Sequence, residues 1–532
     1  MQIFWQFLAV ASVVLAHPTN SSTVLRECVS GVFGSTSDLR IVDPSNDTYT
    51  DARIGEKIQF NHFPTVIAFA QNISEIPHLI QCAKNTGHKA VPRSGGHHFE
   101  GWSALNDTLV IDISHIDYVH VSAGRKFATV GGGIRLGALY TALDAYNITF
   151  NGGICPTVGL SGFLSSGGFT MQMRSPVGLG VDNVVAAKVV TAAGEIVEAS
   201  KSQNPDLFYA IRGGGGGTYG ITVEWTLKLV TYPRSAMVFM NWTDPTIQFE
   251  VAQRYNEWAP SAPADFGSNI DIYPGSLQLI GWYLGKSKQD LEDLMKGSGL
   301  LEIGNPETKI GGNCSTDNSR LLGYYIDECV ADDQLTHVRS VLNTAPQAFT
   351  QIGDYPQYTY DETYKSLSLP AAPPWERYRR QAKSFFIQKD KPLEDETLRK
   401  VINHIGKLSP DSQGWAEWHA WNLSDPNTDS SFPWKEKALA LIEFQIHGSP
   451  NSTVQATYDD WMTELEEFLR PVVGPASYSG EMDATISTEP LTSYYGDNVC
   501  ALIRIKQTWD PEEFFTNPFS IPASVPEGIS CP

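Results

Sequence analysis

Glycine arrives in four runs between residues 60 and 234, and this constrains what that part of the chain can fold into more than any other feature. The runs are Gly95-Gly96, Gly131-Gly132-Gly133, Gly159 with Gly162 and Gly167-Gly168, and Gly213 to Gly217. Glycine loses more conformational freedom on folding than any other residue, so such density needs a compensating use. In Pro92-Arg93-Ser94-Gly95-Gly96-His97-His98, two adjacent glycines let backbone N–H groups converge as an anion nest that a diphosphate would fit. One Gly-Gly pair is ordinarily a turn. Four runs in one domain point to backbone that follows a large cofactor along its length. Neither G-x-G-x-x-G at the opening of a βαβ unit nor G-x-x-x-x-G-K-[ST] is present, which argues against Rossmann and P-loop sites. Gly159-Leu160-Ser161-Gly162 is one residue short of a hydrolase nucleophile elbow.

Between these runs the pattern is α+β. Short β-branched stretches predict strands over Thr108 to Ile113, Phe127 to Val130, Val184 to Thr191 and Ile221 to Val230, and Ile76 to Thr86 reads as an amphipathic helix. From residue 235 to 480 the glycine thins out. Helical periodicity appears over Lys288 to Lys296, with Ser287 as N-cap, over Glu396 to Ile405 and over Val454 to Leu469. Gly414 to Trp421 and Ala438 to His447 alternate as strands that line a pocket, and the Pro-rich stretch Leu369 to Trp375 reads as a loop. With 532 residues the chain exceeds what a single core sustains.

The formal charge of −21 repels phosphate backbones and anionic lipid, so neither nucleic acid nor a membrane surface is an expected partner. Residues 1–16 read as a signal peptide ending in Val14-Leu15-Ala16, and nine Asn-x-Ser/Thr sequons follow, which together predict a secreted, extracellular glycoprotein. Seven cysteines, Cys28, Cys82, Cys155, Cys314, Cys329, Cys500 and Cys531, leave one thiol without an internal partner in an oxidising compartment. No C-x-x-C pair is present, and no metal site is expected.

The motifs together resemble the berberine-bridge-enzyme-like branch of the vanillyl-alcohol-oxidase flavoprotein superfamily. They are Arg93-Ser94-Gly95-Gly96-His97, Gly153-Ile154-Cys155-Pro156-Thr157-Val158-Gly159, Asp182-Asn183, Asp206-Leu207-Phe208 running through Ile211-Arg212 and the glycines to Gly220-Ile221, and Tyr494-Tyr495-Gly496 with Asn498. The resemblance implies a two-lobed PCMH-type FAD-binding domain over residues 60–234, after an N-terminal segment 17–59. It also implies an α+β substrate domain with an antiparallel sheet over 235–480, and a C-terminal segment 481–532 that completes the FAD domain. By resemblance His97 bonds the flavin 8α carbon and Cys155 bonds flavin C6, which gives the odd cysteine a use. Arg93, Ser94, Gly95, Gly96, Val158, Gly159, Gly162, Asp182, Asn183, Gly220, Ile221 and Asn498 are then the remaining cofactor contacts. Cys28 with Cys82 matches the family's N-terminal disulfide; Cys314 with Cys329 is a second candidate bridge, and Cys500 and Cys531 stay unassigned.

The family passes a hydride from substrate carbon to flavin N5 while a base takes a proton, and dioxygen is then reduced to hydrogen peroxide. Glu481 stands where the family's sugar oxidases have a tyrosine base, and His419, with Glu417 two residues before it, stands where they have an aspartate. A carboxyl with an ordinary pKa of about 4.3 needs burial to act as a base near neutrality. His419 exchanges protons near neutral pH without such help. Glu443 and Gln445 alternate onto one face of their strand. Tyr494 and Tyr495 are expected to line the site, and the base stays open among Glu481, His419 and Tyr494. Val158 matches a position that gates oxygen near the flavin and favours an oxidase. The expected partners are O2 and a small substrate, and the expected state is a monomer. Dehydrogenation, alcohol oxidation or oxidative cyclisation of a secondary metabolite is the first reading. Oxidation of an oligosaccharide to a lactone is the second, with Trp415, Trp418 and Trp421 suited to either substrate. A secreted FAD-containing binding protein is the third.

Overall fold

The computed structural model describes residues 21–531 apart from 145, 147, 156, 171–176, 232–233, 315–376, 422 and 424–428. The signal segment, the Leu369 to Trp375 loop and Cys329 lie outside the described residues. Among the described residues, three sheets carry the fold. The first runs Ile41–Val42, Val66–Phe69, Leu109–Asp112, Ala90–Arg93, its last three strands parallel and its first antiparallel to them. Parallel strands are buried on both faces, which is why Val66–Phe69 and Leu109–Asp112 are wholly buried. Helices Ser21–Phe33 and Ile76–Asn85 pack Leu25, Val29, Leu79 and Ile80 onto it and are joined by Cys28–Cys82, as the family resemblance implied.

The second sheet is antiparallel, in the order Val119–Val121, Phe127–Gly131, Ile221–Lys228, Val184–Val190, Ile196–Ser200. The third has seven antiparallel strands, in the order Glu307–Cys314, Ser235–Trp242, Ser276–Leu284, Phe266–Tyr273, Gly414–Ala420, Ala438–His447, Arg380–Gln388. Alternation gives this sheet two different faces. On Ala438–His447 the even positions Ile442, Phe444 and Ile446 share one core with Val251 and Tyr255 of helix Gln248–Trp258, Val401 of Asp395–Ile405 and Trp461 and Leu465 of Ser452–Val473. The odd positions Leu441, Glu443 and Gln445 are also buried, so the opposite face is covered by protein as well. What covers it is the FAD-binding region: Leu441 clusters with Leu179 and Val181. Trp418 lies on the helix-covered face and is removed from the set of pocket aromatics.

The C-terminal segment returns to the first half of the chain. Helices Pro490–Tyr495 and Val499–Trp509 place Tyr494, Tyr495, Leu502 and Ile503 in one core with Leu164, Phe208 and Trp225. Lys506 lies within it, fully buried, and donates to Asp510 Oδ2 at 2.6 Å, Thr218 O at 2.6 Å and Phe515 O at 2.8 Å. Cys500 and Cys531, unassigned from sequence, form a disulfide across the end of this segment. Cys314 is also disulfide-bonded.

Replacing Lys506 by Met leaves Asp510 buried without its counter-charge. The expected destabilisation is about 3–5 kcal/mol, read as a lower unfolding midpoint in denaturant with an unchanged slope.

Candidate active site

The site lies where two glycine loops meet beneath the polar face of the seven-stranded sheet. The loop after strand Ala90–Arg93 and the loop before helix Leu160–Ser165 approach so closely that a Cβ on Gly95 would sit 2.2 Å from Gly159 N, and one on Gly159 would sit 2.3 Å from Gly95 N. Only glycine permits this at either position. Gly96 follows with φ +70, in the left-handed region. Arg135 clamps the pair, its guanidinium donating to Gly95 O at 2.8 Å and to Thr157 O. Arg93 pairs with buried Asp112 and donates to Ala52 O at 2.7 Å, and Ser94 Oγ donates to Gly132 O at 2.9 Å. A Cβ on Gly162 would meet nothing within 4 Å, so this glycine borders open space.

Not all of the glycine serves a ligand. Cβ atoms on Gly167 and Gly213 would collide with Phe432, and one on Gly217 would collide with Pro92. These glycines admit neighbouring chain.

His97 projects from the first loop with Nε2 buried and without a hydrogen-bond partner. Burial, and then the charges of Lys57, Arg135 and Arg380, hold its pKa well below the ordinary value, so the ring is neutral. Cys155 projects from the second loop as a free, exposed thiol. Burial of its surroundings pushes the thiol pKa up, opposed by the charges of Arg380 and Lys57. An accessible sulfur in an enclosing environment is what a recess provides. A neutral imidazole with an unused nitrogen, a free thiol and a glycine cradle fit a flavin held at two points.

Lys57 was not singled out from sequence. Burial lowers its pKa to about 8, opposed by the carboxylate of Glu56, at 3.8 Å, and by the charges of Cys155 and Glu481. The segment that carries it is strung between the His97 loop, through Glu56 N to Gly96 O at 2.9 Å, and the edge of the seven-stranded sheet, through Ile58 N to Tyr378 O at 3.1 Å. Two ordinary backbone bonds therefore place a cation that no motif announces.

The sheet contributes the acids. Asp271, Glu417 and Glu443 are cross-strand neighbours on one face. His419 is wholly buried, with Nε2 3.5 Å from Glu417 and 3.4 Å from Glu443. Both distances exceed ordinary hydrogen-bond lengths, and neither ring nitrogen has a partner. Burial works to raise the Glu417 pKa, but the neighbouring His419 and the Trp415 indole N–H at 2.9 Å hold it below the ordinary value. Burial and then the Glu417 charge push Asp271 up to about 8. Phe169 sets its ring edge against His419 at 4.8 Å and stacks on Trp421, forming an aromatic wall with Tyr478.

Glu481 enters from the C-terminal segment on the short turn Ser479–Glu481. Its placement is not left to a free loop. Phe386 N bonds Ala476 O at 2.9 Å, Tyr478 N bonds Ser384 Oγ at 2.9 Å, and Lys383 pairs with Asp483. Glu466 and Arg470 of the long helix extend this buried network to Ser477. Burial, then the charges of Glu443 and Glu417, push the Glu481 pKa well above its ordinary value.

Tyr494 takes a different place from the one expected. Its hydroxyl accepts from Asp483 N at 2.8 Å inside the FAD-domain core, so it braces the turn after Glu481. Tyr495 is buried with its hydroxyl 2.6 Å from where a Gly215 Cβ would lie. Asn498 donates to Ser431 O at 2.9 Å. Asp182 pairs with Lys435 and accepts from Leu179 N, while Asn183 donates to Val177 O and Leu179 O, both at 3.1 Å. These two residues shape their loop through hydrogen bonds within the protein. Gly220 has φ +147 beside Val190 O, and Ile221 is core. Val158 is half-buried against the FAD-domain core, three residues from Cys155.

A two-lobed fold with a glycine cradle, an unused histidine nitrogen, a free thiol and a buried acid cluster defines an FAD-dependent oxidoreductase. Residues 64–200 match the FAD binding domain family model, and residues 477–522 match the model for berberine and berberine-like proteins. FAD-linked oxidoreductase pynB of Aspergillus niger is 54% identical over 97% of this chain and 95% of its own length. FAD-linked oxidoreductase pytB of Aspergillus terreus is 52% identical over 94% of this chain, which spans 63% of that longer relative. The solved structure of Physcomitrella patens BBE-like 1 superposes with a TM-score of 0.77 at 25% identity, covering 94% of this chain and 99% of that one. The chain belongs to the berberine-bridge-enzyme-like family of FAD-dependent oxidases.

Substituting Gly95 by Ala forces the two loops apart by more than any side-chain rotation can absorb. Flavin content of the purified protein, read as visible absorbance relative to protein, is expected to fall at least about tenfold, while the far-ultraviolet spectrum of the sheets persists.

Proposed function

We propose that this protein is a secreted oxidase that holds FAD covalently through His97 and Cys155 and oxidises a polar aromatic or enolisable secondary metabolite, with O2 as acceptor. The observation that carries the reading is the cluster of buried Glu481, Glu443 and His419 with half-buried Glu417 on the sheet face toward the two attachment residues. Sugar oxidases of the family use a tyrosine and an aspartate at the positions of Glu481 and His419, so this chain departs from them at both.

Bound FAD supplies a two-electron acceptor that takes hydride from substrate carbon and passes the electrons to O2. His97 Nε2, neutral and unused, is the atom to bond the ring's methyl carbon, and Cys155 Sγ the atom to bond its benzenoid edge. Lys57 and Arg380 put positive charge beside Cys155 and so favour the thiolate that such a bond needs. Glu481 is the base. Buried and repelled by Glu443, it binds a proton at far higher pH than an exposed glutamate does, which suits proton abstraction near neutrality. Phe169, Trp421 and Tyr478 offer a flat substrate a wall beside these acids and exclude water from them. Asp483, held by Lys383 and by the Tyr494 hydroxyl, fixes the turn on which Glu481 sits. The Cys28–Cys82 and Cys500–Cys531 disulfides suit an oxidising compartment, and no helix among the described residues is long and apolar enough to cross a membrane.

Acid precipitation of the purified protein is expected to leave the yellow colour in the pellet; colour released wholly to the supernatant removes the covalent assignment. Cys155→Ala should keep flavin attached through His97 with a shifted absorption spectrum, whereas an unchanged spectrum removes the C6 bond. Across a panel of aromatic alcohols, enolisable heterocycles and oligosaccharides, peroxide release is expected with the first two classes; release with oligosaccharides alone makes the protein a carbohydrate oxidase.

A further inference from the structure

Three acidic side chains stand directly opposite one another across the middle of the seven-stranded sheet. The register pairs Asp271 with Glu417 and Glu417 with Glu443. Asp271 is 3% exposed and Glu443 5%, and Glu481, at 8%, comes to the Glu443 end of the row from the C-terminal segment. Like charges directly opposite destabilise a sheet, and the effect grows as water is excluded. The row therefore requires counter-charge.

The groups that face it are few. His419 lies 3.5 Å from Glu417 and 3.4 Å from Glu443. Arg380, from the edge strand, and Lys57, from the N-terminal segment, act on Glu481 from further off. Ser384 is the cross-strand neighbour of Glu443 on the edge strand, and Gln445 shares its own strand with Oε1 unpartnered. Asn269 binds Asp271 at 2.7 Å, and the Tyr478 hydroxyl accepts from Phe169 N at 3.3 Å. Against the burial that raises it, His419 and the Trp415 indole N–H, at 2.9 Å, hold the Glu417 carboxyl below its ordinary pKa, so Glu417 is the charged member of the row. Glu443 and Glu481 are left as hydrogen-bond neighbours. Two carboxyls in such contact do not both ionise.

We propose that Glu443 and Glu481 hold one proton between them and act as a paired base, with the Glu417 carboxylate beside them fixing the local charge. The chemistry rests on the oxidase reading; the pairing rests on this chain's own geometry. With one proton on the pair, the free carboxylate oxygen takes the proton that leaves a substrate O–H or N–H as the adjacent C–H departs as hydride to the bound FAD. The electrons of the broken O–H or N–H bond stay on the substrate and close its new double bond. The pair then carries two protons and releases one before the next turnover. Burial first, and then repulsion from neighbouring carboxylates, push both groups well above the ordinary range, which keeps a proton on the pair at neutral pH. Glu443 thereby becomes a second catalytic acid, beside the glutamate that occupies the family's tyrosine position.

The test uses flavin-loaded wild type, Glu443→Gln, Glu481→Gln and Asp271→Asn, the last also combined with each glutamine substitution. In the Asp271→Asn background, which removes the other protonated carboxyl of the row, difference infrared spectra are expected to show the protonated-carboxyl signal lost at lower pH in both Glu443→Gln and Glu481→Gln, because each removes the partner that shares the proton. The wild type is expected to contain no stoichiometric metal. With a panel substrate that gives peroxide, Glu443→Gln should lose about a hundredfold in rate with flavin content unchanged. Peroxide release in wild type rises with pH as the pair loses its second proton. In Glu443→Gln this rise should move to lower pH, a shift that a merely structural role for Glu443 does not produce. A signal lost at the same pH with and without either glutamine substitution overturns the proposal. So does one equivalent of divalent metal in wild type, which would be the counter-charge instead, or an unchanged rate and pH profile in Glu443→Gln. Absence of peroxide with every panel compound overturns the oxidase reading and leaves the infrared result to decide the pair.

Discussion

The C-terminal segment is bound to the FAD-binding region and to the seven-stranded sheet through buried lysines, and the placement of Glu481 depends on it. Lys506, with no exposed surface, joins Asp510, Thr218 and Phe515 and so locks the last helix into the FAD-binding region. Some twenty residues earlier in the segment, Asp483 pairs with Lys383 of the edge strand Arg380–Gln388, which also pairs with Glu466, and this hangs the segment on the edge of the seven-stranded sheet. A buried charge that loses its partner is strongly destabilising, so each pair tolerates little movement. Glu481, two residues before Asp483, inherits that rigidity.

The same segment lets one sheet serve two purposes. Even positions of Ala438–His447 pack on helices as any amphipathic strand would. The odd positions carry Glu443 and Gln445 into an equally buried environment, because the FAD-binding region and the C-terminal turn cover that face. Buried acids shift their proton affinity upward, so covering the face is what converts ordinary glutamates into groups able to work as bases near neutrality. Covalent attachment of the flavin would relieve the protein of enclosing the ring on every side and leave room for substrate against Phe169 and Trp421.

Much of the fold was legible in the residues. The helix expected over Ile76 to Thr86 spans Ile76–Asn85, the strand Ala438–His447 has the bounds expected of it, and Ser287 caps helix Lys288–Ser298 by accepting from Asp290 N. Local periodicity and capping report such elements directly. The glycine runs were legible as a group but not one by one. Gly95, Gly159 and Gly162 border the cradle, while Gly167, Gly213 and Gly217 admit Phe432 and Pro92, side chains distant in sequence. Tyr494 looked like a site residue because its motif lies at the site; its hydroxyl is taken up by the Asp483 backbone.

By itself the sequence determined the family and the alternation that sends Glu417, His419 and Glu443 to one face, because each is a matter of local pattern or short spacing. Only the tertiary structure decided that Asp271, Glu417 and Glu443 stand opposite one another, that Glu481 meets them, and that Lys57 lies near Cys155. Strand register and the return of the C-terminal segment create those contacts across separations of 26 to 146 residues, where no local signal reaches. Burial, and with it the chemistry of the acids, exists only once both faces of the sheet are covered.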